Sequence, residues 1–323
     1  MRPPNIPPPN TLPEFIMLSR RPFAHEHRTE KRPFLNNKAF AAVLWHLDMA
    51  FWAICGAIAR EGLIVLTGYE SWGPLWANVA GCVVMGFHEK FVHDPVYAPK
   101  IATGFCGSLT SFSSLIVSLF LFSTTPQPKW KTDGYGVMAF MAFLITEISC
   151  SMASYFLGQH LEIFLRSYKL LIKPNYVIIE YIGAALGSSA WIACLVISIT
   201  VESNRNWPLL ATFAPFGVFL RVHASKLNRP EYRIGTFLVN MVGTVLACIF
   251  TILQHPDIGA SVLQIQVLKG LIDGFCGSLT TVSSFVVELS KLPLPHAYAY
   301  GITTFGLGFC FAVLIIGSYD WTR

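Results

Sequence analysis

Two stretches hold most of the residues able to handle an ion. Gly274-Phe275-Cys276-Gly277-Ser278-Leu279-Thr280-Thr281-Val282-Ser283-Ser284-Phe285 repeats Gly104 to Leu115 (GFCGSLTSFSSL), with the first seven residues identical. Each copy lies in an apolar run, where glycine relaxes the backbone and short hydroxyl side chains compete for backbone hydrogen bonds. The pattern predicts a broken helix, which at membrane depth is tolerated only where the freed backbone groups face protein, an ion or water.

A few polar side chains stand near these stretches. Asn78 and Asn240 each carry amide donors that suit an anion shedding its water, or that could simply bond one helix to another. Arg60 and Arg221 are costly inside a span and point to function. The alternative for each is snorkelling toward an interface, with Glu61 placed to neutralise Arg60. Phe112 and Phe285 offer ring edges to a bare anion, or ordinary packing. Tyr300 and Thr304, four apart on one helical face beside Thr303, could form a hydroxyl track, or Thr304 could bond its own backbone. His88-Glu89 and His93-Asp94 have histidines five apart, which does not suit a metal on one helical face. No nucleophile motif or phosphate-binding glycine loop occurs, so an enzyme is not indicated.

These groups must be positioned by membrane helices. The chain has 323 residues, 53% hydrophobic and 13% charged, with a mean hydropathy of +0.52. That charge is about half of what soluble domains carry. Apolar runs predict nine spans, roughly 44–67, 74–91, 98–123, 134–165, 176–201, 207–225, 233–253, 262–290 and 296–319. The proline-rich residues 1–43, with Arg20, Arg21, Arg28, Lys31, Arg32 and Lys38, read as a disordered basic tail. The net charge of +5 belongs to that tail and to helix flanks, so nucleic acid is not an expected partner, whereas lipid is. The eight cysteines fall in apolar runs without CxxC spacing and read as free buried thiols.

The repeat extends beyond the opening stretch. Gly56-Ala-Ile-Ala-Arg60 matches Gly217-Val-Phe-Leu-Arg221, 161 residues on, and Asn78/Gly81 matches Asn240/Gly243, 162 on. The third pair is 170 apart, as a duplicated unit with one small insertion requires. The expected plan is an all-α membrane protein of two four-helix repeats, 44–170 and 204–323, joined by a linking helix within 171–203, with the third helix of each repeat broken. Basic residues favour a cytoplasmic N-terminus and an extracellular C-terminus, counting Lys90, Lys100, Arg166 and Lys226 inside. An odd linking span inverts the second repeat, a plan that places ion sites at the repeat interface.

On GFCGSLTTVSSFVVE, the GxxxR arginines and the N-x-x-G of the second spans, the chain resembles the fluoride channel family, called Fluc in bacteria and FEX in eukaryotes. The resemblance covers residues 44 to 320 and implies a passive fluoride-selective channel in the plasma membrane, working as a single chain. It implies a structural Na⁺ on the backbone carbonyls of Gly107, Thr110, Gly277 and Thr280. It also implies pore roles for Asn78, Asn240, Phe112, Phe285, Tyr300, Thr304, Ser113 and Ser284, and a functional charge at Glu288. The family pattern has two pore phenylalanines per copy. Here Leu115 and Val282 replace one in each, and Ser118 stands where the second copy has Glu288. One intact pore is therefore expected, pairing Phe112 with Phe285 along the Tyr300 track. A proton-coupled transporter using Glu147 or Glu288 is the alternative.

Overall fold

The structure is a computed structural model and describes residues 38–68, 72–125, 134–172 and 174–322. Residues 1–37, most of the expected tail, lie outside them; its last stretch, from Lys38, is already helical. The helices are α1 (Lys38–Thr67), α2 (Leu75–Phe91), α3 (Lys100–Thr124), α4 (Gly134–Ser167), α5 (Tyr176–Thr200), α6 (Asn206–Ser225), α7 (Ile234–Leu253), α8 (Val262–Lys291) and α9 (Leu294–Trp321). Seven of them are long and apolar enough to cross a membrane. Of the others, α2 has 17 residues, about 26 Å at 1.5 Å per residue. No strand occurs among the described residues.

Local chemistry sets several helix starts. The Asn175 side chain accepts from the amides of Val177 and Ile178 at the start of α5. Ser261 and Gln264 form a reciprocal capping box at the start of α8. α3 and α8 are the broken helices. Each opens or passes into a π-helical stretch (Lys100–Cys106, Leu271–Cys276) and adds one α-helical segment (Gly107–Leu109, Gly277–Leu279). The backbone then turns extended at Thr110 (φ −97°, ψ 147°) and Thr280 (φ −86°, ψ 158°). Helix resumes at Phe112 and at Ser283. The side chain of Ser111 caps the restart in α3 by accepting from the Ser114 amide.

Glycines let α1 and α6 lie directly on the broken helices. A β-carbon at Gly56 would sit 2.4 Å from the Phe105 carbonyl oxygen, and one at Gly217 would sit 2.4 Å from that of Phe275. Both obstacles are backbone, which cannot swing away. Gly217→Ala is therefore expected to displace α6 from α8 and spoil folding, read as loss of the monodisperse peak in gel filtration. A normal peak and normal unfolding midpoint would show that this approach is not needed.

The linking helix α5 packs along α1, and their contact holds a buried ionic cluster. Lys100 Nζ lies 2.8 Å from Asp48 Oδ2 and 2.7 Å from Glu180 Oε1, with all three side chains at 5% exposure or less. Lys100 is thus a core residue and not an interfacial charge, which corrects its use in judging orientation. The post-break half of α3 packs on α4, α7 and α9, and that of α8 packs on α9, α2 and α4. Each half-helix thereby lies between the two repeats, while the exposed faces of α4 and α5 are apolar (Val137, Met138, Ile145, Leu157; Ile178, Ile182, Ile192, Ile199) and suit lipid.

Candidate functional site

The two breaks meet at the centre of the chain, and their freed amides are taken up by side chains of other elements. Asn78 Oδ1 accepts from the Ser111 amide at 3.0 Å, and Asn240 Oδ1 accepts from the Thr281 amide at 2.9 Å. Both asparagines are fully buried. Hydroxyls cross from one break to the other. Thr280 Oγ1 accepts from the Ser113 amide at 3.1 Å, and Thr110 Oγ1 accepts from the Ser283 amide at 3.1 Å. The hydroxyls themselves pair at 3.0 Å (Ser113 with Thr280) and 3.1 Å (Thr110 with Ser283). Unpaired amides at helix restarts would each cost several kcal/mol in hydrocarbon. The repeated Ser-Thr chemistry removes that cost at the place where the fold needs the helix open. The counterpart of Ser113 is Ser283. Ser284, which the sequence grouped with it, is the counterpart of Ser114 and sits beside Thr281.

The arginines do not snorkel. Arg60 and Arg221 are 1% and 4% exposed, and each reaches into the broken helix of the opposite repeat. Arg60 Nη2 donates to the Asp273 carbonyl, and Arg221 Nη2 to the Thr103 carbonyl, positions that correspond in the two repeats. A β-carbon at Gly277 would lie 2.5 Å from Arg60 Nη2, and one at Gly107 would lie 2.3 Å from Arg221 Nη2. These glycines make room for the guanidinium groups. The Nη1 atoms diverge. That of Arg60 donates to Ser108 O at 2.5 Å. That of Arg221 donates to Gly107 O at 2.9 Å and to Thr280 O at 3.0 Å. Glu61, the expected neutraliser of Arg60, faces Lys269 at 4.0 Å and also attracts the Arg60 charge.

The implied Na⁺ ligands can be tested against this geometry. The oxygens of Gly107 and Thr280, one from each repeat, do converge, but on the guanidinium of Arg221. The donor set suits a cation, and two of its four oxygens already bond one that the chain supplies. The residues as arranged do not fit a free sodium ion.

The aromatic rings gather on one side of the crossing. Phe112 lies 6.1 Å from Phe285 and 5.2 Å from Phe305, and Phe285 lies 5.6 Å from Phe305 and 5.1 Å from Tyr300, between ring centroids. Phe112 comes from the first repeat and the other three from the second. Tyr300 donates its hydroxyl to Glu288 Oε2 at 2.8 Å, and Glu288 Oε1 accepts from Thr236 at 2.6 Å and Asn228 at 3.3 Å. Glu288 thus anchors the tyrosine to α7. Thr304 is fully buried and donates to the Tyr300 carbonyl at 2.6 Å, the local bond that competed with a track. Its oxygen keeps acceptor capacity only for other donors.

On the other side, α4 presents Phe143, Glu147 and Ser151, all buried at four-residue spacing, as α9 presents Tyr300, Thr304 and Gly308. The tyrosine hydroxyl is missing here and a carboxylate replaces the threonine. Asn78 Nδ2 donates to Glu147 Oε2 at 3.1 Å, whereas Asn240 Nδ2 donates to the Thr281 carbonyl at 3.2 Å. Leu115, Val282 and Phe143 belong to one apolar cluster with Met85 and Tyr155, a cluster that also takes in Phe112. The sequence offered Glu147 only as a candidate proton carrier; its four-residue spacing to Ser151, like that of Thr304 to Gly308, was the available signal. No cluster able to hold a metal through His, Cys, Asp or Glu occurs among the described residues, and Glu89 is engaged by Lys291, Tyr155 and Gln159.

Comparison with known proteins follows the same division into two units. The chain is 33% identical to Fluoride export protein 1 of Candida albicans over 93% of this chain and 86% of that one. It is 34% identical to Fluoride export protein 1 of Neurospora crassa over 85% of this chain and 66% of that one. Half-length similarity extends to Fluoride-specific ion channel FluC 2 of Prochlorococcus marinus, 29% identical over 35% of this chain and 88% of that one. No solved structure matches. The family model of the CrcB-like protein (Camphor Resistance, CrcB) matches twice, over residues 47–159 and 208–317. The chain therefore belongs to the CrcB-like family and carries two copies of its unit.

Proposed function

We propose that the chain is a fluoride-selective channel that releases F⁻ passively from the cytoplasm across the plasma membrane. The N-terminus would be cytoplasmic, and nine helices would cross as two inverted four-helix repeats joined by α5. The family match and the names of the relatives support the cargo. The observation that carries the pathway is the meeting of Phe112 from one repeat with Phe285, Phe305 and Tyr300 from the other.

The physics of such a path is demanding. Fluoride is small and strongly hydrated, so a narrow bore must offer close donors while excluding larger chloride. Ring edges carry positive partial charge, and the second amide hydrogen of Asn240, the first being given to the Thr281 carbonyl, adds a donor. An inside-negative potential drives export at about 2.3 kcal/mol per elementary charge per 100 mV. Asn240 on α7 would serve this path together with Phe112, Phe285, Tyr300 and Thr304.

The second route, lined by Leu115, Val282, Phe143 and Glu147, would be closed. Leu115 and Val282 offer no ring edges at the positions where the first route has Phe285 and Phe112. Proton-coupled transport is the competing reading, and its candidate carriers are Glu147 and Glu288. The test is growth of a fluoride-sensitive host lacking its own exporter. The intact chain should restore growth in fluoride, and Glu147→Gln should do so equally. Failure of the intact chain, correctly delivered to the plasma membrane, would contradict the export reading; failure of the Glu147 variant alone would favour coupling.

A further inference from the structure

We propose that Arg221 is the tethered cation of the repeat interface, performing with its guanidinium the bridging task that the family resemblance assigns to a bound sodium ion. The geometry is direct. Arg221 Nη1 donates to Gly107 O of the first repeat at 2.9 Å and to Thr280 O of the second at 3.0 Å. A single positively charged group thus joins both breaks through two of the four oxygens implied as sodium ligands. Nη2 adds a third carbonyl, that of Thr103 in the pre-break half of α3. Charge-assisted bonds of this kind are the strong ones, and a planar guanidinium can hold several acceptors at once.

Two further features favour the tethered ion over a free one. The glycine at 107 leaves room for the guanidinium, since a β-carbon there would come within 2.3 Å of Nη2. The interface also already holds a second guanidinium, that of Arg60, donating to Ser108 O and Asp273 O. A sodium ion among the Gly107, Thr110, Gly277 and Thr280 oxygens would add a third positive charge to a water-poor centre, where like charges repel strongly. It would also have to share Gly107 O and Thr280 O with N–H donors that are already in place.

The bonding is unequal between the repeats. Position by position, Arg60 should bond Gly277 O and Thr110 O, yet its Nη1 bonds Ser108 O. The Glu61 and Asp273 carboxylates, with Lys269 at 4.0 and 3.0 Å, stand at the Arg60 end. A fused chain can let its two arginines differ, which two identical subunits cannot. Arg221 has become the bridge and Arg60 a strap across the opposite helix.

The test uses purified full-length chain, measured first without reference to what it transports. The unfolding midpoint and the sodium retained after exchange into N-methyl-D-glucamine buffer are recorded for the intact chain, and fluoride flux is compared in the two buffers. We expect the midpoint to be independent of NaCl when compared with choline chloride at equal ionic strength, no retained sodium, and flux unchanged. Arg221→Met should lower the midpoint and make it rise with Na⁺, as a newly vacated carbonyl cage takes up the ion; Arg221→Lys should restore part of the loss without sodium. A saturable, sodium-selective rise in the intact chain, or about one sodium retained per chain, would overturn the proposal, and that arm decides the matter even if Arg221→Met fails to fold. Failure of fluoride flux with sodium independence intact would count against the transport reading and not against this one.

Discussion

Phe285→Ala is expected to cut voltage-driven fluoride efflux at least tenfold, about 1.4 kcal/mol on the permeation barrier, while Val282→Ala leaves it within about twofold, below that same scale. The asymmetry follows from where the two side chains lie. Phe285 touches Phe112, Phe305 and Tyr300 at once, so its loss removes a ring edge from the path and frees Tyr300 and Phe112 to shift. Val282 sits in an apolar cluster that holds Leu115, Phe143 and also Phe112, and it offers no ring edge. Both variants lose apolar contacts, so both must be shown to fold before flux is compared. Efflux that falls with Val282→Ala and persists with Phe285→Ala would reverse the assignment of the open and closed routes.

The second large effect concerns folding. Lys100→Met should destabilise the chain by about 3–5 kcal/mol, because it leaves Asp48 and Glu180 buried without their cation. The cluster joins α1, the start of α3 and the linking helix α5, so the damage should appear as separation of α5 from the first repeat. The triple variant Asp48→Asn, Lys100→Met, Glu180→Gln should recover much of the loss, since replacing a whole buried ionic group can be near neutral. Gel filtration and unfolding midpoints read both. A Lys100→Met variant as stable as the parent would show that the cluster holds nothing together.

The breaks were legible because their chemistry is local. Gly, Ser and Thr in an apolar run declare an unpaired backbone wherever they occur, and the repetition of Gly104–Leu115 at Gly274–Phe285 made the signal specific. The asparagines were legible as polar groups at matching positions. Their partners were not, since Asn78 reaches Glu147 and Ser111 across sequence separations of 69 and 33 residues that no helical period connects. Lys100 misled for a related reason. A lysine at a helix edge reads as an interfacial charge, and only the packing of α5, which brings Glu180 to it, makes burial tolerable. Arg221 was weighed between function and snorkelling because Lys226 and Arg229 follow it. The missing fact was that an open helix on the other repeat offers carbonyls to its guanidinium. The sequence reading named Ser284 and not Ser283; the two are adjacent and alike, and which one faces the opposite break depends on the turn that follows Thr280.

The central claim is most directly tested by fluoride efflux from liposomes carrying the purified chain, with K⁺ and valinomycin setting the voltage and equal pH on both sides. A parallel run uses chloride. Rapid voltage-driven fluoride loss without a proton gradient, and none for chloride, is the predicted result. Fluoride that moves only with a proton gradient, or chloride that leaves as fast as fluoride, would contradict a passive fluoride-selective channel.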